Sequence, residues 1–446
     1  MTPFKDEYDA YCASFGVPDR IEALLPDLNA IPRGKWVPGD DVGKLVKGGL
    51  RLPEAAYAPN IYGEEVDASG LGSVKGDPDG ILTPVLGTLK PVPWIEGNVA
   101  QVLLEMTDAD GQPSFLSPRL HLQRVLDRLA ALGMRPVVAT ELEFYLCRER
   151  KDSSEAPKPP IGLGRARNYE MGALGRSEEI LAEIIDAAQA QGLDTDALTA
   201  EYGPGQFEVN FNHTDDVLAA ADTAIMFRRL VAGVVHSHGL EATFMAKPYA
   251  DHPGNGMHAH VSMVDANGTN VFTADKGVGD NLKRAVSGVL TTMRDLQLLF
   301  APHLNSYRRF QVGSFAPTAP DWGLDHRGVA IRLPETKGPG ARLEHRISGA
   351  DVNPYLVLTA ILGGMLHGLE NDLPLPPPLG PKDTSTSERL THDWIGAIRT
   401  FRDSDIARSL LGPDYHHVYC AIKEDEAARL TRVIPPAEYH AYLSRL

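Results

Sequence analysis

Charged and imidazole side chains alternate with apolar ones along four short runs of this chain. In 135–147 (RPVVATELEFYLC), Val138, Thr140, Leu142, Phe144 and Leu146 share one face of an expected strand, and Glu141 and Glu143 share the other. In 201–211 (EYGPGQFEVNF), Phe207, Val209 and Phe211 alternate with Gln206, Glu208 and Asn210, and Glu201 precedes a Gly203-Pro204-Gly205 turn that can fold it back towards Glu208. In 256–263 (GMHAHVSM), His258, His260 and Ser262 share a face. In 341–348 (ARLEHRIS), Arg342, Glu344 and Arg346 point one way and Leu343, His345 and Ile347 the other. Apolar residues at helical spacing (Leu122, Val125, Leu126, Leu129) predict a helix capped by Ser117, opened by Pro118 and stopped by Gly133. A long apolar helix is expected over 354–369, with helices after the Pro-rich loop 372–384. The Pro/Gly-rich, charged stretch 152–167 reads as a loop and 108–113 (DADGQP) as a junction. The segment before it has short β-type runs, such as that around 99–104, and reads as a small separate β-containing domain.

Any one of these runs is compatible with a solvated sheet face, and a lone histidine is as a rule structural. Together they bring five glutamates, two histidines and two arginines to one expected surface. Residues two apart on a strand project side by side, about 7 Å apart. Carboxylates that close repel unless one is protonated or a cation lies between them. Oxygen-rich ligation with an imidazole suits hard divalent ions such as Mg²⁺ or Mn²⁺ rather than zinc or copper. Arginine forks beside such ions point to phosphate, and Arg308, Arg309, Arg327 and Arg332 follow in NSYRRF and DHRGVAIRLP. No GxxxxGK[ST] loop is present, so a nucleotide is not held in the P-loop manner. The residues themselves read as a two-metal phosphoryl-transfer site on a sheet.

Composition narrows the classes. The chain has 446 residues, of which 43% are hydrophobic and 23% charged, as in ordinary globular proteins of two or three domains. Its net charge of −16 disfavours nucleic acid as a partner. No run of apolar residues is long enough for a membrane span, and the polar, acidic N-terminus argues against a signal peptide. Three cysteines without metal-type spacing (Cys12, Cys147, Cys420) point to a reducing, cytoplasmic setting.

At ELEFYL, EYGPGQFEVNF, GNGMHAHVSM, NSYRRF, HRGVAIRLP and RLEHRISGADVNPYL, in that order, the chain resembles the glutamine synthetase family. The resemblance implies an α+β fold, with an N-terminal β-grasp domain (1–111) and a catalytic domain (112–446) on a curved, mainly antiparallel sheet. It implies active sites between neighbouring subunits of stacked rings, commonly a dodecamer. It implies two or more divalent ions per site, one held by Glu143, Glu201 and Glu208 and another by Glu141, His258 and Glu344. Gly254, Arg309 and Arg346 would hold glutamate. Arg327, Arg332 and Arg342 would face the ATP phosphates, with His260 and Ser262 on the nucleotide side. Arg327, Glu141 and Glu143 would be catalytic. The implied reaction forms γ-glutamyl phosphate, which an amine attacks.

The ammonium-binding features of true glutamine synthetases are replaced. No D-G-S-S motif stands in 60–72 (NIYGEEVDASGLG), and Phe315 occupies the expected glutamate position in RFQVGSFAP. LLPDLNAIPRGKWVP, GLGSVKGDPDG, PVLGTL, ATFMAKPY and NSYRRFQVGSFAPT resemble instead the γ-glutamylputrescine and γ-glutamylpolyamine synthetases, which implies polyamine catabolism. Phe315, Glu64 and Glu65 are the amine-site candidates. Gly63-Glu64 departs from the polyamine pattern, so a monoamine remains open, as do ammonium and, third, a non-catalytic scaffold of the same fold.

Overall fold

A computed structural model describes residues 3–108, 110–163, 168–311 and 314–446. Residue 109 of the expected junction, residues 164–167 of the expected loop and residues 312–313 after NSYRRF lie outside the described residues. Among those described, six strands form an N-terminal sheet: β1 (Arg20–Pro26), β2 (Pro32–Pro38), β3 (Arg51–Pro53), β4 (Asp79–Pro84), β5 (Lys90–Pro91) and β6 (Val99–Thr107). Its spatial order is β2-β1-β6-β4-β3, with β5 also on β6. The pair β1/β6 is parallel and the remaining pairs antiparallel.

Eight more strands form the second sheet: β7 (Arg135–Arg148), β8 (Thr195–Ala200), β9 (Gln206–Phe211), β10 (Leu240–Thr243), β11 (Met257–Val264), β12 (Trp322–Leu324), β13 (Ile331–Glu335) and β14 (Arg342–His345). The order is β12-β13-β14-β11-β7-β9-β8, with β10 beside β7, and only β12/β13 is parallel. The four alternating runs become β7, β9, β11 and β14, all adjacent. Val138, Leu142, Phe144, Leu146, Val209, Val261 and Leu343 are fully buried on the far side of this sheet, against helix Val217–Ser237 and its neighbours. Burying each such side chain is worth about 1.5–3 kcal/mol, so the apolar face decides which way the polar face looks.

The expected helix is Pro118–Ala131, with Ser117 Oγ accepting from Leu120 N at 3.4 Å and Gly133 in the left-handed region at φ +74°. The long apolar helix is Pro354–Glu370, buried nearly all round, capped by Asn353 Oδ1. It crosses helix Asp280–Thr292 at glycines: a Cβ on Gly368 would lie 1.9 Å from Arg284 O, and one on Gly288 2.1 Å from Gly364 O. Only glycine permits that approach. The two sheets share one continuous apolar core, and Asn353 Nδ2 donates to the carbonyls of Asp27 (3.1 Å) and Leu28 (3.3 Å) across the join.

Candidate active site

Directly opposed residues of an antiparallel pair project to the same side. His258 stands opposite Glu141, Glu208 opposite Glu143, Glu344 opposite His260, and Arg332 opposite Glu344. One register therefore carries Glu141, Glu143, Glu208, His258, His260, Glu344 and Arg332 onto one face.

That face is the floor of a cleft of about 590 Å³, lined also by Glu201, Gly254, Arg309, Arg327, Arg346 and Phe315. A second hollow of about 400 Å³ adjoins it and is lined by His260, Ser262 and Arg342. Glu141 and Asn210 line both, so Glu141 stands at the divide. The residues expected around glutamate thus share the first hollow, and three of the five expected near the nucleotide share the second; Arg327 and Arg332 line the first. Glu64 and Glu65 reach neither. Glu64 pairs with Arg429 of helix Pro413–Leu430, and Glu65 Oε2 accepts from Ser73 N at 3.2 Å.

Glu141 Oε2 accepts from His258 Nδ1 and its Oε1 from His260 Nε2, each at 2.9 Å, while His260 Nδ1 accepts from Arg342 Nε at 3.3 Å. Burial pushes the Glu141 carboxyl up, but the two imidazole hydrogen bonds outweigh it and hold it far below the ordinary range. Glu143 Oε2 accepts from Gly256 N at 2.7 Å and Gln206 Nε2 at 3.3 Å; burial nonetheless raises its pKa. Glu344, 1% exposed, accepts from Arg332 Nη1 at 2.8 Å and from Arg346 Nη1. Burial opposes its charge, yet Arg346 and the two histidines keep it below the usual value.

Glu208 Oε1 accepts from Asn210 Nδ2 at 3.2 Å, and neither Glu208 nor Glu201 forms an ion pair among the described residues. Burial, then repulsion from Glu141, Glu143 and Glu201, pushes Glu208 up to about 9. Burial, then Glu143, pushes Glu201 up to about 7. Crowded carboxylates with raised pKa values and imidazoles beside them are a donor set suited to hard divalent cations. Ligand atoms of Glu141, Glu208 and His258 lie within 4.8 Å of one another, as do those of Glu141, His260 and Glu344. Glu141 is drawn to both imidazoles, while Glu143 turns to the Gly256 N–H. Glu143 and Glu201 line the same cleft but belong to neither group.

The sign of the resulting pH dependence is fixed. A carboxyl whose folded pKa lies above its ordinary 4.5 binds its proton more tightly in the folded state, so stability falls as pH rises from 4.5 through about 7 for Glu201 and about 9 for Glu208. Cations that bind the ionised face reverse this loss. The rise in melting temperature on adding Mg²⁺ or Mn²⁺ to chelator-treated protein is expected to be small near about pH 5 and to grow up to about pH 8.5. Thermal melts across that range check it, and a cation effect independent of pH would contradict it.

Arg309 and Arg346 are almost fully buried in the cleft wall, Arg346 against Glu344. Arg309 Nη1 donates to Ile347 O at 2.8 Å, and Arg346 Nε to Arg327 O at 3.2 Å. Gly254 lies against Arg309: a Cβ there would come within 2.3 Å of Ala246 O and 2.7 Å of Arg309 Cγ. Buried guanidinium groups suit a carboxylate ligand. The exposed Arg327 makes no ion pair among the described residues, although its charge is felt at Glu201. Three further cleft residues escaped the sequence reading: Lys247, Tyr169 and Tyr202. They lie outside the regular strands, where no periodicity marks a side chain as facing the site.

Comparison with known proteins adds to this geometry. The family description "Glutamine synthetase, catalytic domain" matches residues 115–442. The chain is 39% identical to gamma-glutamylputrescine synthetase PuuA of Escherichia coli (strain K12), over 98% of this chain and 94% of that protein. It is 32% identical to glutamate–isopropylamine ligase of Pseudomonas sp, over 95% of each. A solved structure described as a GmaS/ADP complex superposes with a TM-score of 0.85 at 26% identity, covering 98% of this chain and 99% of that one.

Proposed function

The chain belongs to the glutamine synthetase family, and from that premise we propose that it is an ATP-dependent ligase joining the γ-carboxylate of glutamate to an organic amine, putrescine or a polyamine foremost. The observation that carries this reading is the single face joining a carboxylate–imidazole floor to buried arginines, with Phe315 at its mouth. The relatives named above act on putrescine and isopropylamine, both carbon-bearing amines.

In this reading glutamate lies against Gly254, Arg309 and Arg346, its side-chain carboxylate pointing to the acidic floor. ATP enters from the hollow of His260, Ser262 and Arg342, and Arg327 and Arg332 take the phosphate charge. The solved relative described as an ADP complex supports a nucleotide as substrate. Glu143, Glu201 and Glu208, and Glu141, His258 and Glu344, would hold divalent cations, Mg²⁺ or Mn²⁺. Such ions when bound neutralise phosphoryl charge. The γ-phosphoryl group passes to the carboxylate oxygen of glutamate, the amine nitrogen attacks the acyl carbon, and phosphate leaves. Phe315 accepts no proton, so the proton shed by the amine leaves by another route than this side chain. Water must be kept out, because an acyl phosphate hydrolyses easily.

We place the domain boundary near residue 111. Assembly into rings, with a dodecamer as the expected form, is supported by surface that one chain leaves uncovered. Strand β2 is a sheet edge with Trp36 70% exposed, and Val433, Ile434, Tyr439, Tyr442 and Leu443 are exposed at the C-terminal end. A cytoplasmic setting follows from the substrates, and no helix among the described residues is long and apolar enough to cross a membrane.

Phosphate release measured with ATP, Mg²⁺ or Mn²⁺, glutamate and each amine in turn tests the reading. Turnover is expected with putrescine and simple alkylamines well above that with ammonium. Turnover with ammonium alone would return the chain to ordinary glutamine synthesis, and none with any amine would leave a scaffold.

A further inference from the structure

Tyr202 and Phe315 stack on each other at the cleft, ring centroids 4.6 Å apart and planes inclined by 33°. Both line the cleft that holds Glu201 and Arg327, and both stay largely in solvent, 43% and 60% exposed. They come from separate segments: Tyr202 follows Glu201 in the β8–β9 turn, and Phe315 follows Arg309 on the loop before β12. Ala316 and Pro317 extend the apolar wall beyond Phe315. Two rings packed at a tilt, half in water and bordering a carboxylate floor, leave apolar surface that gains free energy only when something covers it.

We propose that the Tyr202–Phe315 pair is the specificity wall of the amine subsite, packing along the methylenes of a linear alkyl or polyamine chain and drawing its outer ammonium over a ring face. This rests on the ligase reading above and adds to it a second residue and a criterion for chain length. Ammonium has no carbon surface to lay against the rings. Each methylene brought out of water against them adds to binding, and a cation over an aromatic face adds a further increment. The outer ammonium of a diamine then lies over the rings while the other nitrogen reaches the acyl carbon. The pair selects and positions the amine.

Steady-state kinetics on the full chain with methylamine, propylamine and putrescine test it, comparing wild type, Tyr202→Ala, Phe315→Ala and Tyr202→Phe. The alanine variants are expected to raise the KM for putrescine about fivefold, with less change for methylamine, so that the chain-length preference flattens. The KM values for glutamate and ATP stay unchanged, and Tyr202→Phe restores the wild-type profile. Both rings are exposed, so melting temperatures are expected to stay near that of wild type. An unmoved chain-length profile, or glutamate and ATP KM values that rise together with that of the amine, overturns the proposal while leaving the ligase reading intact. Wild-type turnover with ammonium alone overturns both.

Discussion

Glu344→Ala is expected to reduce ligation by at least about a thousandfold and to lower the melting temperature as well. Two consequences follow from one deletion. Glu344 is 1% exposed and lies between Arg332 and Arg346, so its loss leaves two guanidinium groups facing each other without their shared anion. Breaking a buried pair in this way typically costs about 3–5 kcal/mol. The same carboxylate lies within ligand distance of Glu141 and His260, so its loss also removes an oxygen donor from the proposed cation site. Glu344→Gln separates the two effects. The amide keeps the shape and one acceptor, so its melting temperature is expected to fall much less, while cation affinity measured by calorimetry drops with the lost charge. Activity in Glu344→Ala close to wild type would remove this residue from the machinery altogether.

The polar face was legible because strands have a period of two and the apolar partner positions are so clearly buried. Glu141 and Glu143 could be assigned to one side of β7 from Val138, Leu142 and Phe144 on the other. What periodicity could not supply is pairing between strands distant in sequence. Arg332 came with β13, whose five residues carry too short a pattern to read alone, and only its register with β14 sets it against Glu344. The hydrogen bonds of the carboxylates were also illegible. Which carboxylate turns to which neighbour depends on local donors such as the Gly256 N–H, and these draw Glu143 aside from the pairs that Glu141 makes. Tyr202 escaped for a third reason: it sits in a turn, and its meaning comes from stacking on a residue 113 positions later. Glu64 and Glu65, named for a segment expected to reach a neighbouring subunit's amine entrance, contact Arg429 and the Ser73 N–H within their own chain.

Arg327→Ala is expected to show the complementary behaviour, a large kinetic loss with almost no loss of stability. Arg327 is exposed and pairs with no carboxylate among the described residues, so its removal strands no partner. Its backbone carbonyl accepts from Arg346 Nε, and that bond survives a side-chain truncation. The guanidinium is therefore free to meet charge that arrives with the substrates and grows as the phosphoryl group moves. Groups used in that way act mainly on the transition state, and a lost arginine at a transferring phosphoryl group costs about 10³–10⁵ in rate. A fall in kcat of about a thousandfold is expected, with KM for ATP and glutamate changed only a few-fold. Arg327→Lys retains charge but not the fork, and is expected to recover only part of the rate. Rate constants and melting curves on the same preparations decide the matter. A stable variant that keeps more than about a tenth of the wild-type kcat would assign the phosphoryl charge to Arg332 and Arg342 instead.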